Sequence, residues 1–238
     1  DRLISLMKSG LRSVTISLDG LKESHDWLRG KNESFKKAIN AIALVASDKE
    51  LAFDVVSCVN KKNIEELPQI KELLINIGVK EWRLFTIFPI GRAKHNELLK
   101  LTPDQFKKLL DFIKLERTKG DIKLSYGCEG FLGNYEGDVR DNFFFCRAGV
   151  SVASILVDGS ISACPNLREN FIQGNIYHDN FMDIWNQKYE EMRNRTWTKK
   201  GICEDCKSYK YCQGNGMHLY DENKNLLFCH LEMINQSN

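Results

Sequence analysis

The sequence predicts an α/β fold succeeded by a small, cysteine-rich α+β part, and three observations carry that prediction. Along the first half, β-branched runs alternate with amphipathic stretches of helical period. Near residue 120 that period fades while glycines and aromatics increase. Seven of the eight cysteines follow residue 127. At 238 residues the chain can bury two cores, and the change of pattern divides it at 1–119 and 120–238.

The elements follow in order. Residues 1–10 read as the end of a helix, with Leu3, Ile4 and Met7 on one face and Gly10 at its stop. "SVTISLDG" is a β-branched run ending in a turn and reads as a buried strand. A helix starts near Ser34, where Phe35, Ala38, Ile39 and Ile42 recur at i, i+3, i+4 and i+7. "LAFDVVSCVN" is a second strand. The next helix follows Pro68, aligns Ile70, Leu74 and Ile77, and closes at Gly78. "EWRLFTIFPIG" is a third strand, and "TPDQFKKLLDFIKLER" opens a helix with a capping box from Thr102 and Gln105. This alternation implies a parallel sheet, either doubly wound or part of a barrel. In both, ligands gather at the carboxyl ends of the strands, which here carry Ser17 and Asp19, Cys58 and Asn60, and Pro89, Gly91 and Arg92. Taken singly, each is also an ordinary turn residue. Three strands leave a parallel edge uncovered, so partners are expected upstream.

Beyond residue 120, "VSVASILVDGSISACP" reads as a hairpin about Asp158-Gly159, setting Ile155 against Ser162 and Ala153 against Cys164. A helix spans about Phe181 to Met192 with Phe181, Ile184, Trp185 and Tyr189 as its apolar side, and Trp185 is expected in the core.

Composition excludes several classes. Net charge is +2 with both signs interspersed, which offers no field for nucleic acid or a membrane surface. No apolar run approaches the roughly 18 residues of a membrane helix. The chain opens on Asp1-Arg2-Leu3 without a signal peptide and reads as part of a longer cytoplasmic polypeptide.

The cysteines are Cys58, Cys128, Cys146, Cys164, Cys203, Cys206, Cys212 and Cys229. Disulfide frameworks belong mostly to short secreted chains, so metal binding is the expectation here. C-x2-C at Cys203 and Cys206 sets two sulfurs on one turn, and with Cys212 and Cys229 they make a four-thiolate site by spacing. Tetrahedral zinc needs its sulfurs roughly 3.8 Å apart, which such a turn supplies, and iron–sulfur clusters use the same ligands. Spacing leaves zinc and iron–sulfur both open.

Cys146 is followed by twelve residues, Gly159, four more and Cys164; C-x2-C-x5-C and a late cysteine come after. This resembles the SPASM domain that ends many radical S-adenosylmethionine (SAM) enzymes, with pattern C-x9–15-G-x4-C, then C-x2-C-x5-C-x3-C, then C. Six of its seven cysteines stand here in order. "VTISLDGLKESHDWLRG", "VVSCVNKKNIEELPQIKELLINIGV" and "RLFTIFPIGRA" look like the fourth to sixth strands of the radical SAM partial (β/α)6 barrel. The resemblance covers nearly the whole chain. It implies a barrel followed by a SPASM domain with a β-hairpin and short helices. It also implies [4Fe–4S] clusters and SAM as cofactors, with Ser17, Asp19, Arg29 and Asn60 near SAM. By it, Cys203, Cys206, Cys212 and Cys229 hold the farther auxiliary cluster, and Cys146 and Cys164 hold the nearer one. The seventh cysteine of the pattern is Gly216 here. Cys128 is the natural additional thiolate, with His218 as a further candidate.

The family's C-x3-C-x2-C and Gly-Gly-Glu-Pro motifs are absent and would lie upstream; without them this chain should not cleave SAM, though the parent protein should. The implied activity of that parent is hydrogen abstraction by a 5′-deoxyadenosyl radical from a peptide or protein, with an electron donor as second partner. Relatives include the enzyme acting on the pyrroloquinoline quinone precursor peptide. Sulfatase-maturing relatives carry an aspartate where this chain has Pro165, which argues against that activity. Lys207, Lys210 and Arg147 flank ligands and read chiefly as solvated charges. The competing readings are a zinc- or cluster-stapled binding module without redox chemistry, and a secreted disulfide protein.

Overall fold

The structure, a computed structural model, describes residues 2–127, 129–167 and 171–237. The chain forms two compact units. One comprises Asp1–Gly127, Asn134–Asn142 and Met233–Asn238; the other comprises Cys128–Gly133 and Phe143–Glu232.

The first unit runs α1 (Arg2–Lys8), β1 (Ser13–Ser17), α2 (Lys22–Arg29), α3 (Ser34–Ala46), β2 (Ala52–Val59), α4 (Leu67–Ile77), β3 (Glu81–Thr86), α5 (Pro103–Lys119), β4 (Lys123–Tyr126) and α6 (Glu136–Val139). Its four strands are all parallel and lie in the order β1-β2-β3-β4. Val55 pairs with Trp82, and Trp82 with Leu124. Each strand neighbours the next in sequence, so these four contain none of the order reversal that marks a doubly wound sheet.

Alternation buries Val55 and Val59 of β2 and Trp82 and Leu84 of β3. Helix α5 packs on β4, meets Trp82 through Phe112, and buries Phe106, Leu109, Leu110 and Ile113 fully on one stripe. The Trp82 indole donates its Nε1–H to Ser57 Oγ at 2.9 Å, which satisfies the one polar atom the buried ring carries. The capping box of α5 forms as the sequence predicts: Gln105 N donates to Thr102 Oγ1 at 3.2 Å and Thr102 N to Gln105 Oε1 at 3.0 Å. Such a cap contributes about 1 kcal/mol.

Three features depart from the sequence reading. Strand β1 is half-exposed rather than buried, because β2 is its one strand neighbour among the described residues. Helix α2 (KESHDWLR) has no counterpart among the expected elements; its apolar residues are Trp27 and Leu28, too few to show a period, and Gly30 ends it in the left-handed region. Strand β4 (KLSY) has two apolar residues, Leu124 and Tyr126, below the length at which alternation is legible.

The second unit holds β5 (Ser154–Ile155), β6 (Ser160–Ser162), β7 (Ile172–Asn175), α7 (Phe181–Gln187), α8 (Glu190–Arg193), α9 (Tyr209–Cys212) and α10 (His230–Gln236). Strands β5-β6-β7 form an antiparallel sheet. The hairpin exists, but its register differs from the expected one: Ile155 pairs with Ile161 and Ser154 with Ser162. Its loop is the three residues Val157, Asp158 and Gly159. Gly159 N donates to Leu156 O at 3.0 Å, and Leu156 N to Ser160 O at 2.8 Å. Gly159 lies at φ +82, which gives the three-residue turn in place of the two-residue one.

The helix expected from Phe181 to Met192 breaks at Tyr189 (φ +66). Burial of that ring, with its hydroxyl donating to Ser162 O at 3.1 Å, offsets the roughly 1 kcal/mol of a left-handed non-glycine residue. Trp185 is half-buried at the rim of the core, against Tyr189, rather than within it. The core itself joins Ile161, Ala163, Leu167, Phe171, Met192 and Met217.

Candidate metal and cofactor centres

The thiols come first. The seven described cysteines are thiols and not disulfide-bonded, which removes the disulfide reading for them; Cys128 lies outside the described residues. Cys203 ends a short 3-10 turn, Cys212 ends α9, and Cys229 immediately precedes α10. Burial pushes the Cys203 thiol up to about 11, and the neighbouring Cys229 and Cys206 raise it further. Burial pushes Cys212 up to about 12; the Asn215 N–H opposes this, and Cys229 and Cys203 add to it. Cys229 is raised as well, chiefly by burial. Cys203 is thus close enough to Cys206 and Cys229, and Cys212 to Cys203 and Cys229, for thiolates to repel in a poorly solvated space. Protons or a cationic centre must neutralise them, and thiolates release protons to a metal.

Amide donors surround the sulfurs. Asn215 N donates to Cys212 Sγ at 3.1 Å, Asn215 Nδ2 to Cys229 Sγ at 3.6 Å, and Met217 N to Cys146 Sγ at 3.5 Å. N–H···S bonds of this kind set the potential of iron–sulfur clusters. Among the described residues no three His, Cys, Asp or Glu side chains close on a single-ion geometry. The fit to a thiolate-held group therefore rests on the proximity of the thiols and their donors. Cys146 and Cys164 are half-buried and flank the core that contains Met217. Lys207, Lys210 and Arg147 are exposed, as solvated charges should be.

Gly216 answers the question of the missing cysteine in steric terms. A Cβ there would stand 2.6 Å from the Glu129 carbonyl oxygen and 2.6 Å from His218 Cε1. The space is filled by backbone and imidazole. Sequence reasoning missed the polar cluster behind it. Asn215, fully buried at φ +67, accepts from Phe131 N at 3.0 Å, and its carbonyl accepts from Arg195 Nη2 at 2.6 Å. His230 Nε2 stands 3.5 Å from Glu129 Oε2, both groups buried. The Gly-Asn-Gly run was the available signal, since asparagine tolerates that backbone region.

In the first unit, Asp19, Arg29 and Asn60 gather at the carboxyl ends of β1 and β2. Asp19 pairs with Arg29 at 2.5 Å and accepts from Cys58 N at 2.8 Å. Asn60 accepts from Lys62 N at 2.9 Å and donates to Cys58 O at 3.2 Å. Ser17 ends β1, half-buried, and takes no part in this network. Three residues that sequence reasoning passed over complete it. Asn63 Nδ2 donates to Asp19 O at 2.6 Å, and Glu66 accepts from Ser24 Oγ at 2.6 Å and Leu21 N at 2.8 Å. His25 Nδ1 accepts from Asp19 N at 3.0 Å, while Nε2 lies 3.2 Å from Ser34 Oγ. An accepting Nδ1 requires the neutral Nε2–H tautomer, and burial lowers the His25 pKa, with Asp19 opposing.

Residues 146–207 match the model of the SPASM domain, an iron–sulfur cluster-binding domain. An AdoMet-dependent heme synthase of Methanosarcina barkeri is 23% identical over 88% of this chain and 63% of its own length. The sporulation killing factor maturation protein SkfB of Bacillus subtilis is 28% identical over 72% of this chain and 40% of its own length. Among solved structures, native anSMEcpe with bound AdoMet and Cp18Cys peptide superposes with a TM-score of 0.68. It covers 97% of this chain and 67% of that one at 19% identity. The chain thus spans less than two thirds of the heme synthase it matches. The domain match begins at Cys146 and runs through Cys206, so residues 146–207 are similar to an iron–sulfur cluster-binding SPASM domain, and the chain as a whole shares the fold of solved proteins that bind AdoMet.

Proposed function

We propose that the chain forms part of a radical SAM/SPASM oxidoreductase that modifies a peptide or protein. One observation carries this reading: Cys203, Cys212 and Cys229 lie near one another in a poorly solvated space with Cys206 beside Cys203, and N–H groups donate to the sulfurs of Cys212 and Cys229, in and just beyond the matched iron–sulfur domain. In this reading Cys203, Cys206, Cys212 and Cys229 hold one [4Fe–4S] cluster. Cys146 and Cys164 hold a second, with Cys128 assigned to it from the sequence. The strand ends bearing Ser17, Asp19, Arg29 and Asn60, within a partial (β/α)6 barrel, receive SAM. When reduced iron–sulfur and SAM are bound together, they supply radical chemistry that protein side chains lack. The residues of this chain bind and orient. Asp19 fixes Arg29, which remains two-fifths exposed and able to meet a polar ligand.

A peptide is favoured over a tetrapyrrole as substrate. SkfB is named as a maturation protein, and the anSMEcpe structure holds a peptide. Free thiols suit a reducing compartment, hence the cytoplasm, where an electron donor is a necessary second partner.

The test is metal analysis of anaerobically purified protein. Iron with equivalent acid-labile sulfide is expected. Zinc near one per chain without sulfide would favour a stapled binding module and overturn the redox reading.

A further inference from the structure

We propose that the loops following β2 and β3 dock an acidic segment of the peptide substrate. The inference rests on the peptide reading above and narrows it to substrates that present Asp or Glu beside apolar residues.

Cations without counter-charges gather at the end of the sheet where ligands bind in parallel α/β folds. In a chain of net charge +2 with both signs interspersed, the loop after β2 carries Lys61 and Lys62, and the loop after β3 carries Arg92 and Lys94. Lys62, Arg92 and Lys94 are exposed and Lys61 is half-buried. Among the described residues, none of the four belongs to an ion pair. Neighbouring carboxylates are engaged elsewhere. Glu97 pairs with Lys100 at 2.6 Å, Glu65 with Lys108 at 2.6 Å, and Glu66 accepts from Ser24 Oγ and Leu21 N. Lys22 and Glu23 of α2, both exposed, cancel.

The two loops make one surface. Lys61 N donates to Leu98 O at 3.1 Å, which ties the first loop to the second. Lys62 Nζ lies 4.4 Å from the centroid of the Trp27 ring, which joins both to α2. Two turns, Ala93 N to Ile90 O at 3.1 Å and Asn96 N to Ala93 O at 3.3 Å, keep Arg92 and Lys94 on the segment that leads to Leu98. Alongside the cations, Trp27, Ile90 and Leu98 remain 37%, 44% and 50% exposed.

Like charges on one surface repel, and a chain bearing carboxylates relieves that repulsion. The exposed apolar side chains are then covered by apolar residues of the same segment. They also favour a peptide over RNA. Single-stranded bases stack on aromatic faces, whereas Ile90 and Leu98 are aliphatic and Lys62 lies over the Trp27 ring.

Fluorescence anisotropy on the full chain, with iron and sulfide measured on the same sample, is the test. The probe is a short labelled peptide of alternating Glu and Leu, beside the same peptide with Gln for Glu. The Glu peptide should bind about tenfold tighter. That advantage should vanish between about 0.1 and about 1 M salt, as the screening length falls from about 10 to about 3 Å. Lys61→Glu with Lys62→Glu, and Arg92→Glu with Lys94→Glu, should each weaken Glu-peptide binding about tenfold. Lys49 and Lys80 are exposed just before β2 and β3, at the opposite end of the sheet, and their reversal to Glu should leave binding unchanged. Equal affinity for the two peptides would overturn the proposal, as would reversals at the two loops no more harmful than those at Lys49 and Lys80. Displacement of the peptide by a porphyrin tetracarboxylate or by single-stranded RNA at lower concentration would also overturn it, by giving the cations to another ligand. Iron-loaded protein indifferent to the Glu peptide sinks this inference and leaves the redox reading standing; iron-free protein that binds it does the reverse. The wild-type comparison of the two peptides decides the matter even if a variant fails to fold.

Discussion

Replacing Asn215 by alanine should destabilise the cysteine-rich unit by about 2–4 kcal/mol, and the contributions can be separated. The side chain is fully buried and its Oδ1 is the acceptor for Phe131 N. Removing that acceptor orphans a buried N–H, at a cost of about 1–3 kcal/mol. The residue sits at φ +67, where alanine is worse than asparagine by roughly 1 kcal/mol. The Nδ2 contact to Cys229 Sγ is long at 3.6 Å and adds little to stability, but its loss removes a donor to sulfur. Asn215→Gly relieves the backbone part alone, so the glycine variant should recover about 1 kcal/mol of the alanine loss. Anaerobic urea titration, followed by near-UV circular dichroism on protein of matched metal content, measures both differences. An alanine variant within 0.5 kcal/mol of wild type, or a glycine variant no better than alanine, would refute the reasoning.

Other predictions can be checked independently. Cys206→Ser should remove about half of the bound iron and sulfide and loosen the second unit, since ligation there contributes to folding; unchanged iron would contradict the ligand assignment. His25 is held neutral in the fold, with its pKa below the ordinary 6.5 chiefly through burial. A depressed folded pKa means the unfolded chain takes up the proton first, so this contribution is full above pH 6.5 and lost as pH falls through the folded value. Urea midpoints at pH 7.5 and 5.5 should therefore fall more for wild type than for His25→Gln; equal slopes would dismiss the neutral tautomer. Trp82→Phe removes the donor to Ser57 Oγ and leaves a cavity in a fully buried site. A loss of about 2–3 kcal/mol in thermal or urea unfolding is expected, and a loss under 1 kcal/mol would mean the site collapses.

Much of the first unit was legible because its elements are long and their periods clean. Helix α5 announces itself through Thr102, Gln105 and a four-residue apolar stripe, all local features. Strand β4 and helix α2 were not, because each offers only two apolar residues. The hairpin was found but its register was not. Asp158-Gly159 serves equally in a two- or a three-residue loop, and the choice depends on how β6 meets β7.

Sequence alone determined the alternation of the long strands and helices of the first unit and the cysteine spacing that matches the iron–sulfur-binding domain, since both are written along the chain. Tertiary structure alone decided what fills the position of the absent cysteine, which amides face the sulfurs, and that His25, Asn63 and Glu66 brace the strand ends around Asp19. Some of those contacts join residues tens of positions apart, as Leu21 with Glu66 and Asp19 with Asn63, and all are set by packing and by the need to satisfy buried polar groups. Linear spacing does not encode them.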